Sequence, residues 1–358
     1  MIDFSGVVVS IDDLLSSVAR VILFGAGGAG RDAISQLKRK NIEVMFLCDN
    51  DLSKCGSSID GIEICNPSKL VDYLDEVVLI TSDYAKEIGL QLQNLGVIKF
   101  YYFGYCHDYE RWHDHFNPEV ILGARHEIEQ VRSLFIDDIS RTMFERLIAF
   151  RMTFDPTLLM VSDCEDYWHP SVHPLPGDGI IDAGAWVGDT ATFFAHHLGG
   201  DCRIWSFEPD DNNYQIMLDN ILKYDLRSVI NPIKLGLWSA NTYLNFNESV
   251  QKTDQFRIDE MGGGRIEVVR LDDFVTVRSI SVDLLKMDIE GAEYEALIGS
   301  KHIIEKFAPK LQICIYHKPD DLWRIPLLIR ELNPDYKFFL GVHKQHFIDT
   351  VLYATTQG

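Results

Sequence analysis

The sequence has no run of apolar residues near the length that a membrane helix needs. Its start, Met1-Ile2-Asp3-Phe4, lacks the basic residues and apolar stretch of a signal peptide. Its seven cysteines are scattered and include no Cys-x-x-Cys pair. Scattered cysteines in odd number are typical of reduced thiols rather than of a disulfide framework. We therefore expect a cytoplasmic protein without membrane insertion.

Basic side chains are scarce. The 33 lysines and arginines stand against 54 aspartates and glutamates, and the formal net charge is -21. Because such an acidic surface repels phosphate groups, nucleic acid is disfavoured as a partner, as is an anionic membrane surface. The 358 residues, of which 46% are apolar, are enough for about two domains with ordinary cores.

Three segments differ in their sequence pattern. Residues 1–105 and 179–358 alternate apolar strands with helical stretches, whereas residues 106–178 form a helical linker that ends in a proline-rich flap. Alternation of strand and helix predicts parallel sheets with right-handed crossovers. The predicted fold class is therefore α/β, with two doubly wound Rossmann-like domains joined by a helical linker.

The pattern also predicts individual elements. In the front domain we expect strands at 21–24, 44–47, 77–80 and 99–103 and a helix at 31–40. A helical spacing runs from 125 to 152. In the last domain we expect strands at 180–184, 203–207, 232–238, 266–271, 282–287, 311–316, 336–342 and 347–354, and helices at 190–198, 212–224, 292–307 and 321–332.

The first glycine loop follows a strand and precedes a helix. Gly25, Gly27 and Gly30 fit Gly-x-Gly-x-x-Gly, and Asp49 stands at the end of the next strand. This arrangement suits a nucleotide or nucleotide sugar, with phosphate at the helix N-terminus and Asp49 on the ribose. The alternative is a scaffold without a ligand. Residues 1–105 resemble the front domain of some sugar acyltransferases and methyltransferases. Those domains often have His where Ala29 stands in this sequence.

The second glycine loop is the most informative segment. An apolar strand runs into Asp-x-Gly-Ala-x-x-Gly-Asp and then a helix. An acidic loop suits S-adenosylmethionine, which is cationic and has no phosphate, and Glu208 at the next strand end can bind its ribose. The predicted cofactor contacts are Asp182, Gly184, Ala185, Gly188, Asp189, Thr190, Glu208 and Asp272. Asp272 belongs to a later Leu-Asp-Asp-Phe motif that closes a strand and is expected near the adenine.

Two further strand ends carry polar groups, Lys-Met-Asp-Ile-Glu-Gly-Ala-Glu at 286–293 and Tyr-His-Lys-Pro-Asp-Asp-Leu at 316–322. With the loop, Phe-Glu-Pro-Asp and Leu-Asp-Asp-Phe, these motifs resemble the FkbM family of S-adenosylmethionine-dependent methyltransferases over residues 178–355. The resemblance implies a seven-stranded class I methyltransferase fold whose last strands form a reversed hairpin. It also implies O-methylation of a hydroxyl on a sugar, glycan or secondary metabolite.

A methyltransferase of this kind has to accept the proton of the acceptor hydroxyl. His317 is the first candidate base because imidazole titrates near neutral pH, and Asp288 is the second candidate or orients His317. The alternative is a structural strand-end histidine. Glu290 completes the predicted catalytic set with His317 and Asp288. No metal is predicted, although Asp288 and Glu290 could together hold a divalent cation.

Other functions remain open. The front loop could serve a dinucleotide-dependent or nucleotide-sugar enzyme, although no Tyr-x-x-x-Lys pair stands out there. The fold could also be a non-catalytic nucleotide-sugar-binding module. A nucleic-acid methyltransferase is disfavoured because Asp288 is not followed by Pro-Pro and the chain has no Pro-Cys dipeptide. The expected partner is a small-molecule or carbohydrate acceptor, and a homo-oligomer is left open.

Overall fold

The computed structural model describes residues 10–104, 112–246, 264–344 and 349–357. Its backbone contacts divide into two compact units. One comprises Met1–Arg132, Arg141–Val161 and Lys344–Ile348, and the other Ser133–Ser140, Ser162–His343 and Asp349–Gly358. The three-segment division at residues 105 and 178 stays a prediction. No helix within the described ranges is long and apolar enough to cross a membrane.

The first unit is built on a six-stranded sheet in the order β3-β4-β2-β1-β5-β6, parallel except at the β3–β4 pair. The apolar run of β1 is buried from Val21 to Phe24, as a strand covered on both faces requires. The strands are β1 Arg20–Phe24, β2 Glu43–Cys48, β3 Ser58–Ile59, β4 Ile62–Cys65, β5 Val78–Ile80 and β6 Phe100–Tyr102. The α-helices up to residue 153 are Ile11–Ser16, Gly28–Arg39, Ala85–Leu95, Pro118–Gly123, Arg125–Leu134 and Asp138–Thr153.

The helical spacing from 125 to 152 corresponds to two helices, Arg125–Leu134 and Asp138–Thr153. Asp137 separates them: its carboxylate accepts hydrogen bonds from the backbone N–H and the hydroxyl of Ser140, at 2.7 Å each. A carboxylate in that position starts a new helix by satisfying its free N–H groups. The helical spacing alone does not register such a break.

The second unit contains a seven-stranded sheet in the order β15-β16-β14-β13-β7-β8-β9. Strands β7, β8, β9, β13 and β14 are parallel, and β16 runs antiparallel between β14 and β15. This order, with its reversed terminal hairpin, confirms the predicted class I methyltransferase fold. Its strands are β7 Gly179–Ala183, β8 Arg203–Phe207, β9 Ile230–Ile233, β13 Leu284–Met287, β14 Lys310–Cys314, β15 Lys337–Val342 and β16 Thr350–Thr355. Its helices are Asp189–His197, Asp211–Lys223, Leu271–Arg278, Glu293–Ile298, Lys301–Phe307 and Asp321–Leu332.

Two predicted elements of this unit are different in the structure. The strand expected at 232–238 is split: β9 lies in the main sheet, and β10 Gly236–Leu237 lies in a three-stranded sheet with β12 Gly264–Val269 and β11 Thr242–Phe246. The helix expected at 292–307 breaks at Gly299. An added Cβ on Gly299 would lie 2.1 Å from the carbonyl oxygen of Trp238, so this position has no room for a side chain. The second helix begins just beyond it, where Asp272 accepts the N–H groups of His302 and Ile303.

We expect Gly184→Ala to destabilise the second unit severely. The backbone of Gly184 has φ +74°, and an added Cβ would lie 1.7 Å from the carbonyl oxygen of Asp288. The expected loss in the free energy of unfolding is about 4 kcal/mol or more, measured by urea denaturation followed by circular dichroism.

Gly199→Ala is the matched control for that substitution. Gly199 also has a positive φ, +58°, but its added Cβ meets nothing within 4 Å. Only the left-handed backbone penalty of about 1–2 kcal/mol is expected. Equal losses in the two variants would show that the contact with Asp288 does not decide the conformation at residue 184.

Candidate active site

The second glycine loop turns tightly against the neighbouring strands. Gly184 and Gly188 have φ +74° and +79°, and the backbone N–H groups of Gly184 and Ala185 both donate to the carbonyl of Phe207 at 3.0 Å. Asp189 is exposed at the first turn of the next helix, where its carboxylate accepts from the N–H of Thr190 at 2.9 Å. The loop is therefore tightly folded at the end of β7, with the large side chain of Trp186 exposed on it.

Asp182 lies inside the sheet rather than on its surface. Its side chain is fully buried, and Oδ1 lies 3.0 Å from the ammonium of Lys286 on the adjacent strand. Lys286 also donates to the carbonyl of Gly184 at 2.9 Å. Burial raises the pKa of Asp182, and the charge of Lys286 opposes that rise. Lys286 thus links the carboxylate of Asp182 to the backbone of the glycine loop.

Glu208, at the end of β8, closes one side of the same loop. Its carboxylate accepts hydrogen bonds from the backbone N–H groups of Trp186 and Asp210, both at 2.9 Å. Burial raises the pKa of Glu208 to about 7, although those two hydrogen bonds act in the opposite direction. Trp186, whose side chain is 42% exposed, lies beside it in the loop. A polar ligand in the loop would meet an acceptor and an aromatic ring.

Asp272 has a structural task in this fold. Its Oδ2 and Oδ1 accept the backbone N–H groups of His302 and Ile303 at 3.0 and 3.1 Å, which caps the helix Lys301–Phe307. The sequence placed it at a strand end, but the strand ends before Leu271, where a helix begins. We therefore leave Asp272 out of the cofactor site proposed below.

A histidine and three carboxylates gather at the ends of β13 and β14. His317 is buried, and its Nδ1 lies 2.9 Å from Oε1 of Glu293. Its Nε2 faces the other side, 3.4 Å from Oδ1 of Asp288 and 3.7 Å from Oε2 of Glu290. The three residues named as catalytic from the sequence, His317, Asp288 and Glu290, are thus brought together, and Glu293 joins them.

The charges of this cluster determine its protonation. Burial lowers the pKa of His317, but the carboxylates of Glu293, Glu290 and Asp288 outweigh it and raise that pKa to about 10. For Asp288, burial acts in the opposite direction and raises the pKa. The charges of His317 and Lys286 and a hydrogen bond from Tyr167 outweigh burial and bring the pKa of Asp288 below its ordinary value. At neutral pH the imidazolium form of His317 is favoured, and that form cannot accept a proton. The role of His317 as general base stays a prediction, and its surroundings disfavour it.

Three residues in this region were missed as site residues. Lys286 and Glu293 lie within the motif at 286–293, but neither was predicted to act in the site. Tyr167 comes from the segment predicted as a linker, and its hydroxyl donates to Oδ2 of Asp288 at 3.0 Å. Its proximity depends on tertiary packing, so the sequence contains no local signal for it.

The first glycine loop borders a cavity of about 580 Å³ within the first unit. Gly25 and Gly27 line it, and the helix Gly28–Arg39 begins there without a side-chain cap. Gly30 lies inside that helix, where an added Cβ would be 2.2 Å from the carbonyl oxygen of Gly25. The uncapped N–H groups make the helix start suitable for an anion.

Asp49 lies at the edge of the same cavity and is already engaged. Its Oδ2 accepts from the N–H of Ala26 and contacts the ammonium of Lys54, each at 2.9 Å. Its Oδ1 accepts from the N–H of Asp51 at 2.8 Å. The carboxylate therefore shapes the glycine loop, and Lys54 adds a cation to the cavity lining.

The seven-stranded sheet with its reversed hairpin and glycine loop defines a methyltransferase-type domain. Residues 182–344 match the family described as methyltransferase FkbM domain. This part of the chain is thus a methyltransferase domain of the FkbM family. Residues 17–100 match a family described as C2185-like, N-terminal. No curated protein matches the chain.

One solved structure shares the fold over nearly the whole chain. A methyltransferase FkbM from Methylobacillus flagellatus KT is 21% identical, with a TM-score of 0.74 over 98% of this chain and 94% of that one. The UDP-D-quinovosamine 4-dehydrogenase from Vibrio fischeri is also 21% identical, but covers 24% of this chain and 77% of its own, with a TM-score of 0.22. A similarity that weak supports no inference.

The raised pKa of Glu208 predicts a pH-dependent affinity for S-adenosylhomocysteine. Glu208 is protonated below its pKa of about 7, and a carboxylic acid cannot accept from both hydroxyls of a ribose. Affinity is therefore expected to fall about tenfold per pH unit below 7 and to level off above it, as calorimetric titration would measure. Glu208→Gln should flatten the profile. A wild-type affinity that does not change between pH 5.5 and 8.5 would contradict this assignment.

Proposed function

We propose that the chain is an S-adenosylmethionine-dependent O-methyltransferase that acts on a hydroxyl of a sugar, glycan or secondary metabolite. The observation that carries the proposal is the juxtaposition, in an FkbM-family domain, of a tightly folded glycine loop with the buried acceptor Glu208. Beside them, Asp288 and His317 lie where the ends of parallel strands commonly bind ligands.

The residues at the loop suit this cofactor. Gly184 and Gly188 have the positive φ that folds the loop tightly, and the backbone N–H of Trp186 within it reaches Glu208. Glu208 would accept from the ribose hydroxyls in place of its present bond from the N–H of Trp186. When bound, S-adenosylmethionine supplies an electrophilic methyl group. The exposed ring of Trp186 would cover the adjoining part of the ligand.

Asp288 is the group best suited to meet the acceptor hydroxyl. Its side chain is 27% exposed. His317, Lys286 and Tyr167 hold the pKa of Asp288 below its ordinary value, although its buried surroundings raise it. As a carboxylate it can accept a hydrogen bond from the hydroxyl and orient its oxygen. His317 would position Asp288 from behind. This division of tasks needs no neutral imidazole.

Calorimetric titration with S-adenosylhomocysteine tests the cofactor assignment without needing an acceptor. We expect one site per chain in the wild type and at least tenfold weaker binding in Glu208→Ala at pH 8, because a hydrogen-bonded carboxylate is worth about 1.5–3 kcal/mol. Glu305→Ala is the control, since that carboxylate is exposed and pairs only with Lys301 along its own helix. No binding to the wild type at millimolar ligand would overturn the proposal.

If binding is found, the acceptor class can be screened by release of S-adenosylhomocysteine. The panel should contain sugars, glycans and hydroxylated secondary metabolites, with nucleic acids as the expected negative. Turnover only on an amine or a nucleic acid would contradict O-methylation while leaving the cofactor assignment in place.

The cavity of the first unit favours a second binding function, for a nucleotide or nucleotide sugar. The open helix start at Gly27 and Gly28 would face a phosphate, and Lys54 would supplement it. This function could accompany methyl transfer, for instance by binding the nucleotide part of an acceptor. The same binding function would be needed if the first glycine loop belonged to a nucleotide-sugar enzyme.

Gly28→Asp should abolish that binding without unfolding the unit. An added Cβ at Gly28 meets nothing within 4 Å, and an acidic residue in the first turn favours a helix. The new carboxylate would nevertheless repel a phosphate at the helix start. Titration with UDP-sugars and dinucleotides should show binding to the wild type and to Gly28→Ala, but not to Gly28→Asp. Equal affinity in all three proteins would exclude the helix start as the anion site.

A further inference from the structure

We propose that the cluster at the ends of β13 and β14 is a divalent-cation site. Nε2 of His317, a carboxylate oxygen of Asp288 and a carboxylate oxygen of Glu290 are the protein ligands, and Glu293 is the positioning residue behind the imidazole. The role of the cation in catalysis rests on the function proposed above. Its binding does not, because it follows from the geometry of the four side chains.

The two separations that meet at Nε2 of His317 each fit a pair of ligands that share a cation. Nitrogen and oxygen ligands about 2.0–2.2 Å from a metal lie about 2.8–3.8 Å from one another for angles of about 90–120°. Nε2 of His317 is 3.4 Å from Oδ1 of Asp288 and 3.7 Å from Oε2 of Glu290. Both separations are long for hydrogen bonds and fall within the range for ligands that share a cation.

A second observation concerns the hydrogen bonding of the imidazole. Nε2 of His317 is buried and makes no hydrogen bond, although it faces two carboxylates. The side chain of His317 is only 1% exposed, so water does not readily replace the missing partner. A buried polar atom without a partner is costly, and a cation that displaces the proton at Nε2 would satisfy it.

Glu293 holds the opposite edge of the ring. Its Oε1 lies 2.9 Å from Nδ1 and accepts the backbone N–H of Ile289 at 2.8 Å. The contact with Nδ1 is an ion pair that is not aligned as a hydrogen bond. A carboxylate on the far nitrogen is the usual support of a metal-binding histidine, because it fixes the orientation of the ring. Among the described residues, Asp288, Glu293 and His317 can bring one ligand atom each within 4.8 Å of one another, and Glu290 is not in that set. Because Glu293 faces Nδ1 whereas Asp288 and Glu290 face Nε2, a cation at Nε2 would draw the carboxylate of Glu290 towards that of Asp288.

The site adjoins the proposed cofactor loop. The N–H of Asp288 donates to the carbonyl of Ala183 at 3.0 Å, and its own carbonyl approaches Gly184. A cation here would bind an acceptor through oxygen and ease loss of its hydroxyl proton to solvent. That oxygen then takes the methyl group, the new C–O bond replaces the C–S bond, and the products are a methyl ether, S-adenosylhomocysteine and one proton. Acceptors with two neighbouring oxygens, such as vicinal diols, suit this site best.

Titration of the chelator-treated full chain with Mn²⁺, followed by electron paramagnetic resonance, tests the inference. We expect one bound Mn²⁺ per chain, with affinity at least tenfold lower in Glu290→Gln and in Glu293→Gln. Glu305→Gln is the control and should bind as the wild type does. Absence of bound Mn²⁺ at millimolar concentration, or undiminished binding in Glu290→Gln, overturns the ligand assignment.

S-adenosylhomocysteine affinity, measured on the same samples, separates this inference from the proposed function. Glu290→Gln and Glu293→Gln should still bind that ligand, which also reports that they are folded. Binding of S-adenosylhomocysteine without Mn²⁺ rejects the cation site and leaves the methyltransferase proposal. Binding of Mn²⁺ without S-adenosylhomocysteine supports the cation site and rejects the proposed cofactor.

Discussion

The buried ion pair between Lys286 and Asp182 is the interaction on which the active-site end of the second unit depends. The two side chains belong to adjacent parallel strands and are almost completely buried, at 2% and 0% exposure. Removing one partner of such a pair leaves an isolated buried charge, which costs about 3–5 kcal/mol. Because Lys286 also donates to the carbonyl of Gly184, the same pair fixes the start of the glycine loop. Core stability and loop geometry are therefore not separable here.

Carboxylates also predominate around His317, at the ends of β13 and β14. Asp288, Glu290 and Glu293 surround His317, and burial together with the charge of Glu293 raises the pKa of Asp321 nearby to about 7. Such an arrangement favours ligands that bring positive charge. It also explains why a histidine at the end of a strand is protonated more readily here than in water, since its neighbours stabilise the imidazolium.

The fold was largely predictable because its signals are local. Apolar runs bounded by glycine turns mark the strands, and the motif from Asp182 to Thr190 marks the loop. The break at Gly299 was not predictable, because the cap by Asp272 and the close approach of Trp238 exist only in the folded chain. Asp137, in contrast, is a local capping signal that the helical spacing does not include. The candidate site divides in the same way. The strand-end rule anticipated that Asp288 and His317 would meet, whereas the contact of Tyr167 with Asp288 required the packing of distant segments.

The cap formed by Asp272 bears on how mutational data for this protein would be interpreted. Asp272 binds His302 and Ile303 through its carboxylate, and its own N–H donates to the carbonyl of Gly299 at 3.0 Å. It thus joins the start of one helix to the start of another, thirty positions further along the sequence. An alanine scan scored by activity would mark Asp272 as strongly as any ligand-binding carboxylate. Only a parallel record of folded fraction would distinguish a lost helix cap from a lost ligand contact.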